Sequence, residues 1–219
     1  MSDLVEPGGA EAAGRAARFG EVPSTTLAEV LGGGQVMDLG IRPLWGPGPR
    51  LAGPAYTVRC VPGDNLMLHA AIYRAAPGSV VVVESGDLEY ALAGGNVCAV
   101  AQRRGIAGFV VDGVIRDLGE VRAAGFPVYA RGIVPVPGTK KGLGSLGERV
   151  RCGGAGVGAG DFVVADEEGV VVTPAGRAEE VLRTARERLA GEESQSLDDW
   201  EARHRAKVEA ALHAAGYIG

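Results

Sequence analysis

Residues 106–117 read Ile-Ala-Gly-Phe-Val-Val-Asp-Gly-Val-Ile-Arg-Asp. An apolar run crosses Asp112 and Gly113, ends on an arginine beside a carboxylate, and then turns polar at Leu118-Gly119-Glu120. Branched and aromatic side chains dominate from Ile106 to Ile115, so this is a strand. A strand apolar on both faces belongs inside a parallel sheet covered on each side.

The flanking sequence repeats that logic. Upstream, Gly94-Gly95-Asn96 leads into a helix from Val97 to Arg104 that Gly105 ends. Before it, Ser79 to Glu84 is a nearly all-valine strand, and Gly63-Asp64-Asn65 opens a helix from Leu66 to Ala76 that Pro77-Gly78 breaks. A first strand runs from Ala55 to Val61. Downstream, a helix from Leu118 to Ala124 stops at Gly125 and a strand follows from Pro127 to Ala130. Alternation of strand and helix predicts an α/β fold with a parallel sheet.

The outer segments differ. The first twenty residues, rich in Ala, Gly and Glu, suggest a loosely held helix. Pro23 to Leu31 reads as an amphipathic helix with Thr26 and Glu29 as a capping box, stopped by Gly32-Gly33-Gly34. Four prolines and three glycines make Arg42 to Pro54 an extended loop. Beyond Ile133 the texture changes to short apolar pieces between glycines, at Arg149–Cys152, Val157, Phe162–Asp166 and Val170–Thr173, which predict a sandwich or barrel-like β layer. Helices are expected over Ala175–Leu189 and Asp198–Ala215, with Trp200 as a packing anchor against another subunit. No linker divides the chain, so one domain spans 1–219, with an extension over 1–22 and a helical tail over 190–219.

Composition narrows the classes of function. The chain has 219 residues, 46% of them hydrophobic, with a formal net charge of -5. Its basic residues are scattered rather than striped with aromatics, which argues against nucleic-acid binding. Met1 to Glu6 lacks a signal peptide's basic start and no stretch is long enough to span a bilayer, so a cytoplasmic protein is expected. The cysteines, Cys60, Cys98 and Cys152, are odd in number and lack a CxxC pair, implying neither disulfides nor zinc.

Arg116 and Asp117 stand where α/β proteins bind ligands, at the carboxyl end of a strand. A guanidinium presents a planar fork of donors to a carboxylate or phosphate, and an adjacent carboxylate holds a hard divalent cation. The pair also reads as a surface ion pair or a helix N-cap. Gly94 to Val97 places free backbone N–H groups at a helix start, where an anion binds, although such a turn is also simply a turn. Asp64 reads as an N-cap and His69 as a core or interface residue. Lys140 and Lys141 read as an exposed loop, with closure over the site as the alternative.

The series Gly63-Asp64-Asn65, Pro77-Gly78 with its valine strand, Gly94 to Val97, Arg104 to Gly108, Asp112 to Asp117, Phe126-Pro127-Val128, and Gly160-Asp161 with Ala165-Asp166 and Gly169-Val170 resembles the RraA-like family over about residues 24 to 193. That family includes the class II 4-hydroxy-4-methyl-2-oxoglutarate aldolases. The resemblance implies a compact β/β/α fold of the swivelling-domain, phosphohistidine-domain-like type with a C-terminal helical tail. It implies a pyruvate aldolase acting on 4-hydroxy-2-oxo acids, with oxaloacetate decarboxylase activity. Arg116 then binds pyruvate, Asp117 holds Mg2+ or Mn2+, and Gly94, Gly95, Asn96 and Val97 receive the substrate carboxylate. By the same resemblance Glu192 of a neighbouring subunit completes the metal's outer sphere, in a homotrimer or homohexamer. In the aldolases the second position of the glycine turn is commonly acidic, whereas here it is Gly95, and Asp87 or Glu89 are the expected substitutes. The family also holds regulators that bind a ribonuclease. Those typically keep the arginine and lose the metal-binding aspartate, whereas this chain keeps Asp117.

Overall fold

The structure, a computed structural model, describes residues 9–217. Its centre is the parallel set that the valine runs predict. Strand β2 (Leu51–Arg59) pairs parallel with β3 (Val80–Glu84), β3 with β4 (Gly108–Ile115), and β4 with β5 (Val128–Ile133). Short β1 (Arg42–Pro43) closes one edge antiparallel to β5. On the other side β2 pairs antiparallel with β9 (Phe162–Asp166), which pairs with β10 (Gly169–Thr173), while β6 (Ser145–Leu146) joins the far end of β2. The order β1-β5-β4-β3-β2-β9-β10 makes one mixed, barrel-like sheet. The α/β class expected from sequence is the observed one.

Alternate residues of each strand enter different cores, as the two-residue period of a strand demands. Val81, Val83, Phe109, Val111 and Ile115 pack against helices α3 (Leu66–Ala71), α4 (Gly95–Arg103) and α5 (Leu118–Ala123) through Leu68, Cys98, Ala101 and Val121. Val80, Val82, Val110 and Tyr129 face the hairpin β7 (Val150–Cys152) and β8 (Ala155–Val157). The result is a layer of helices, a parallel sheet and a second β layer. A third cluster covers β9 and β10 with Phe19 of α1 (Gly9–Gly20), Leu27 of α2 (Ser24–Leu31), and Val181 and Leu182 of α6 (Ala178–Glu193).

Three expectations need correction. The segment before Ala55 is not all loop: β2 begins at Leu51, because Leu51–Pro54 finds a partner in β9 where the parallel neighbour is absent. Gly53 permits this, since a Cβ there would overlap the Gly78 carbonyl and lie 3.1 Å from Val80. The first helix is not loosely held, because Phe19 is fully buried and stacks on Phe162 at 5.0 Å. No capping box opens α2: it starts at Ser24, whose N–H and hydroxyl both donate to Asp166 of β9, at 2.9 and 2.6 Å. Trp200, expected to pack against another subunit, lies on α7 (Leu197–Ala214), which buries no residue among those described, and stacks on His204 at 4.4 Å.

Candidate functional site

Arg116 and Asp117 follow β4 directly, past an irregularity in its pairing with β5 between Val111 and Val114. The loop before α4 runs alongside: the Leu92 N–H donates to the Val114 carbonyl and the Arg116 N–H to that of Ala93. These bonds draw the amino end of α4 against the end of β4. Between them opens a cleft of about 80 Å³, lined by Gly94, Asn96, Val97, Arg116 and Asp117 and closed from the other side by Asn65, His69 and Lys140. Drug-sized ligands need roughly 300 Å³ or more, so this cleft suits a molecule of few heavy atoms.

Asp117 holds the N-cap position of α5 without capping it. Its backbone is left-handed, φ 57°, the one positive value outside glycine among the described residues. Aspartate tolerates that conformation better than most side chains, and it turns the carboxylate away from its own helix. Asp117 Oδ2 instead accepts the Gly95 N–H at 3.1 Å and lies 3.4 Å from Arg116 Nε. Both alternative readings are thereby answered: the ion pair exists and the cap does not. A Cβ at Gly94 would overlap the Asp117 carboxylate and lie 3.0 Å from Arg116 Cγ, so a larger residue there displaces the pair from its present geometry.

At the start of α4 the first intrahelical bond is from the Cys98 N–H to the Gly94 carbonyl. The N–H groups of Asn96 and Val97 precede it and have no helical acceptor, and the N-terminal dipole adds to their pull on an anion. The turn expected to receive a carboxylate is therefore the amino terminus of α4, with Gly95 committed to Asp117.

Neither Asp87 nor Glu89 of the preceding loop lines the cleft. Asp87 is consumed there, accepting from the N–H groups of Gly63, Glu89 and Tyr90. The group standing beside Gly95 is Glu120 of α5: a Cβ at position 95 would overlap its carboxylate and lie 2.8 Å from its Cδ. Sequence separation of 25 residues hides this overlap, which comes from packing α5 against the start of α4.

Asn65 and His69 in the cleft were not foreseen; Lys140 joins them there from the loop that the sequence offered as closing over the site. Loop residues 138–141 reach α3 because Asp64 fastens them, its Oδ2 accepting from the Thr139 hydroxyl and the Lys141 N–H, both at 2.6 Å. Its Oδ1 accepts from Leu66 N–H at the start of α3, so the capping role is real but partial. Burial raises the Asp64 carboxyl, and the four donors from Lys141, Thr139, Leu66 and Gly142 outweigh it, holding it at about 2. Glu192 lies elsewhere, on α6, paired with Arg188 at 3.3 Å and lining a separate groove with Leu197 and Trp200.

All three cysteines are buried, and burial raises the thiols of Cys60 and Cys98 to about 11 and about 12. Among the described residues no three His, Cys, Asp or Glu side chains converge as a metal cage, and no helix is long and apolar enough to cross a membrane.

Known proteins resemble this chain in sequence and fold. A family profile of the RraA-like group, described as Aldolase/RraA, matches residues 24–172. A protein of Halalkalibacterium halodurans, provisionally named a 4-hydroxy-4-methyl-2-oxoglutarate aldolase, is 37% identical over 199 residues, 90% of this chain and 94% of that protein. Among solved structures, an uncharacterized protein from Pseudomonas syringae pv. tomato superposes with a TM-score of 0.75 at 27% identity, covering 89% of this chain and 94% of that one. Streptomyces coelicolor RraAS2, described as an unusual member of the RNase ES inhibitor RraA protein family, gives 0.73 at 31% identity, covering 82% and 94%. With the profile spanning more than half its length, the chain belongs to the Aldolase/RraA family.

Proposed function

We propose that the chain is a divalent-metal-dependent carbon–carbon lyase that releases pyruvate from 4-hydroxy-4-methyl-2-oxoglutarate or a related 4-hydroxy-2-oxo acid, and that decarboxylates oxaloacetate. One observation carries this reading: Asp117 is turned out of its own helix into a small cleft that also holds Arg116 and the amino end of α4.

The donor set suits a hard cation. Asp117 Oδ2 is committed to Gly95 and Arg116, while Oδ1 takes no protein hydrogen bond among the described residues. A cation that keeps its waters needs little more than one protein carboxylate plus substrate oxygens, as Mg2+ or Mn2+ does, whereas a four-ligand zinc cage has no donors here. Bound at Asp117, such an ion supplies polarisation of the 2-oxo and carboxylate oxygens of the substrate. The protein's own groups do the rest. The Asn96 and Val97 N–H groups receive the substrate carboxylate, and Arg116 donates to the oxygen that gains negative charge as the carbon–carbon bond breaks. Glu192 reaches the site only from a neighbouring copy, in a trimer or hexamer with shared sites.

The likeness to RraA structures supports an alternative, a non-catalytic regulator that binds a ribonuclease. Pyruvate release with Mg2+ or Mn2+, across a panel of 4-hydroxy-2-oxo acids and oxaloacetate and with or without EDTA, separates the two. Activity that EDTA and Asp117→Ala both remove is the expected result, and an inert wild type with metal supplied sinks the lyase reading.

A further inference from the structure

The wall of the cleft opposite Arg116 carries groups that the mechanism above does not use. Helix α3 places Asn65 and His69 four residues apart, on one face, and both line the cleft. The His69 ring is half-buried, and the Leu92 backbone is among the groups that favour its protonated form. In the neutral ring one nitrogen carries the proton and the other a lone pair. Burial first, and then the charge of Lys140, disfavour the protonated ring; the Leu92 backbone and Asp64 act the other way without reversing the balance. Across the cleft stand Arg116 and Asp117.

Asn65 adds a second, independent sign. Its side chain is 4% exposed and its amide nitrogen donates to the Ala91 and Gly138 carbonyls, at 3.4 and 3.3 Å. Its Oδ1 is buried and has no partner, a state that costs roughly 1–3 kcal/mol unless something donates to it. Asn65 and His69 thus bring unpaired acceptor capacity to the α3 side of a cleft that Arg116 and the amino end of α4 also line. A hydroxyl group matches the first and a carboxylate the second.

We infer that His69 is the general base of the cleavage, taking the proton of the 4-hydroxyl of a 4-hydroxy-2-oxo acid. The assignment rests on the lyase reading and adds the proton carrier that it lacks. The lone pair of His69 takes the O4 proton, the O4–H electrons become the new carbonyl bond at C4, and the C3–C4 bond breaks. Its electron pair forms the C2–C3 double bond of the pyruvate enolate, whose oxygen Arg116 faces. His69 then returns the proton to C3, giving pyruvate and a neutral ring. Oxaloacetate has no such proton: its C3–C4 pair is released by loss of carbon dioxide, and C3 is protonated from solvent.

That difference is the test. His69→Asn keeps a polar side chain and removes the base; His69→Gln repeats the change with a longer side chain. With Mg2+ supplied, both variants are expected to lower kcat for 4-hydroxy-4-methyl-2-oxoglutarate cleavage about 100-fold or more, the usual contribution of a positioned base. Oxaloacetate decarboxylation stays near the wild-type rate. Wild-type kcat/KM for cleavage rises with pH through the lowered histidine value, and the variants lose that limb. Deuterium uptake into the pyruvate methyl group in D2O, read by NMR, falls with cleavage. Equal losses on both substrates, or no loss on either, overturn the role of His69 while leaving the lyase standing. A wild type that neither cleaves, decarboxylates nor exchanges overturns both.

Discussion

Two aspartates leave the same strand five residues apart and meet opposite fates. Asp112, within β4, is saturated: Oδ1 accepts from Arg131 Nε and Oδ2 from the Gly153 N–H at 2.7 Å. Arg131 goes on to grip Asp38 at 2.8 and 3.0 Å, and both aspartates strengthen its hold on its proton, so β4, β5 and the β7–β8 hairpin are tied together. Asp117, just past the strand, has one oxygen engaged and one spare, in a backbone conformation that few side chains adopt. Saturated charge serves the fold and unsaturated charge is available to a ligand. An Arg-Asp pairing alone does not distinguish the two.

The sharpest break of this comparison is Asp117→Asn, which keeps a residue tolerant of the left-handed backbone while removing the charge. Pyruvate release should fall about 10³-fold, the upper range for one electrostatic group. Urea unfolding should move by less than about 1 kcal/mol, because the ion pair it loses is well exposed. The mirror experiment is Asp112→Ala. Its pair with Arg131 is mostly buried, so about 2 kcal/mol of stability should be lost, between the surface and fully buried cases. KM and kcat per folded molecule should hold. Stability lost at Asp117 and activity lost at Asp112 would invert the assignment.

A smaller effect tests why the acid sits at position 120. Gly95→Asp drives a second carboxylate into the Glu120 side chain, and overpacking of that kind costs about 1–3 kcal/mol. Combining it with Glu120→Ala empties the volume, so the pair should recover the lost thermal stability and show clear coupling in a double-mutant cycle. Additive losses would mean that the two side chains do not share one space.

Asp64 extends the contrast to pH. Its folded value, about 2, is below the ordinary 3.8, so its stabilisation is present above about pH 4 and disappears as pH falls toward 2. Asp64→Asn should lose on the order of 1 kcal/mol at neutral pH and flatten the acid-unfolding curve between pH 4 and 2. An unchanged acid limb would show that the loop at 138–141 is held by other contacts.

What the sequence revealed follows from the range of the interactions. The valine strands β3 and β4, and β9 at Phe162–Asp166, were legible because burial on both faces imposes a continuous apolar run. Arg116 and Asp117 were legible because strand ends are marked where apolar turns to polar. The start of β2 was hidden among prolines, since only β9, more than a hundred residues away, makes Leu51–Pro54 a strand. The partnership of Ser24 with Asp166, the place of Glu120 beside Gly95, and the gathering of Asn65, His69 and Lys140 are equally nonlocal. Each depends on which surfaces the sheet order brings together, and no spacing along the chain encodes that.

Helix α7 gives the comparison its limiting case, an element where neither fold nor cleft claims the side chains. Leu197, Trp200 and Val208 are 77%, 50% and 40% exposed, and none touches the three cores. Such residues follow one another at helical spacing, as in a helix that packs, yet here the stripe faces away from its own chain. Trp200→Ala should therefore change the unfolding free energy of the isolated chain by no more than about 0.5 kcal/mol, the ordinary range for an uncommitted surface position. A loss of 2 kcal/mol or more, growing with protein concentration, would place α7 against a second copy, because stability shared between chains rises with mass action. The tail would then resemble Asp112, a group whose partners saturate it, rather than Asp117.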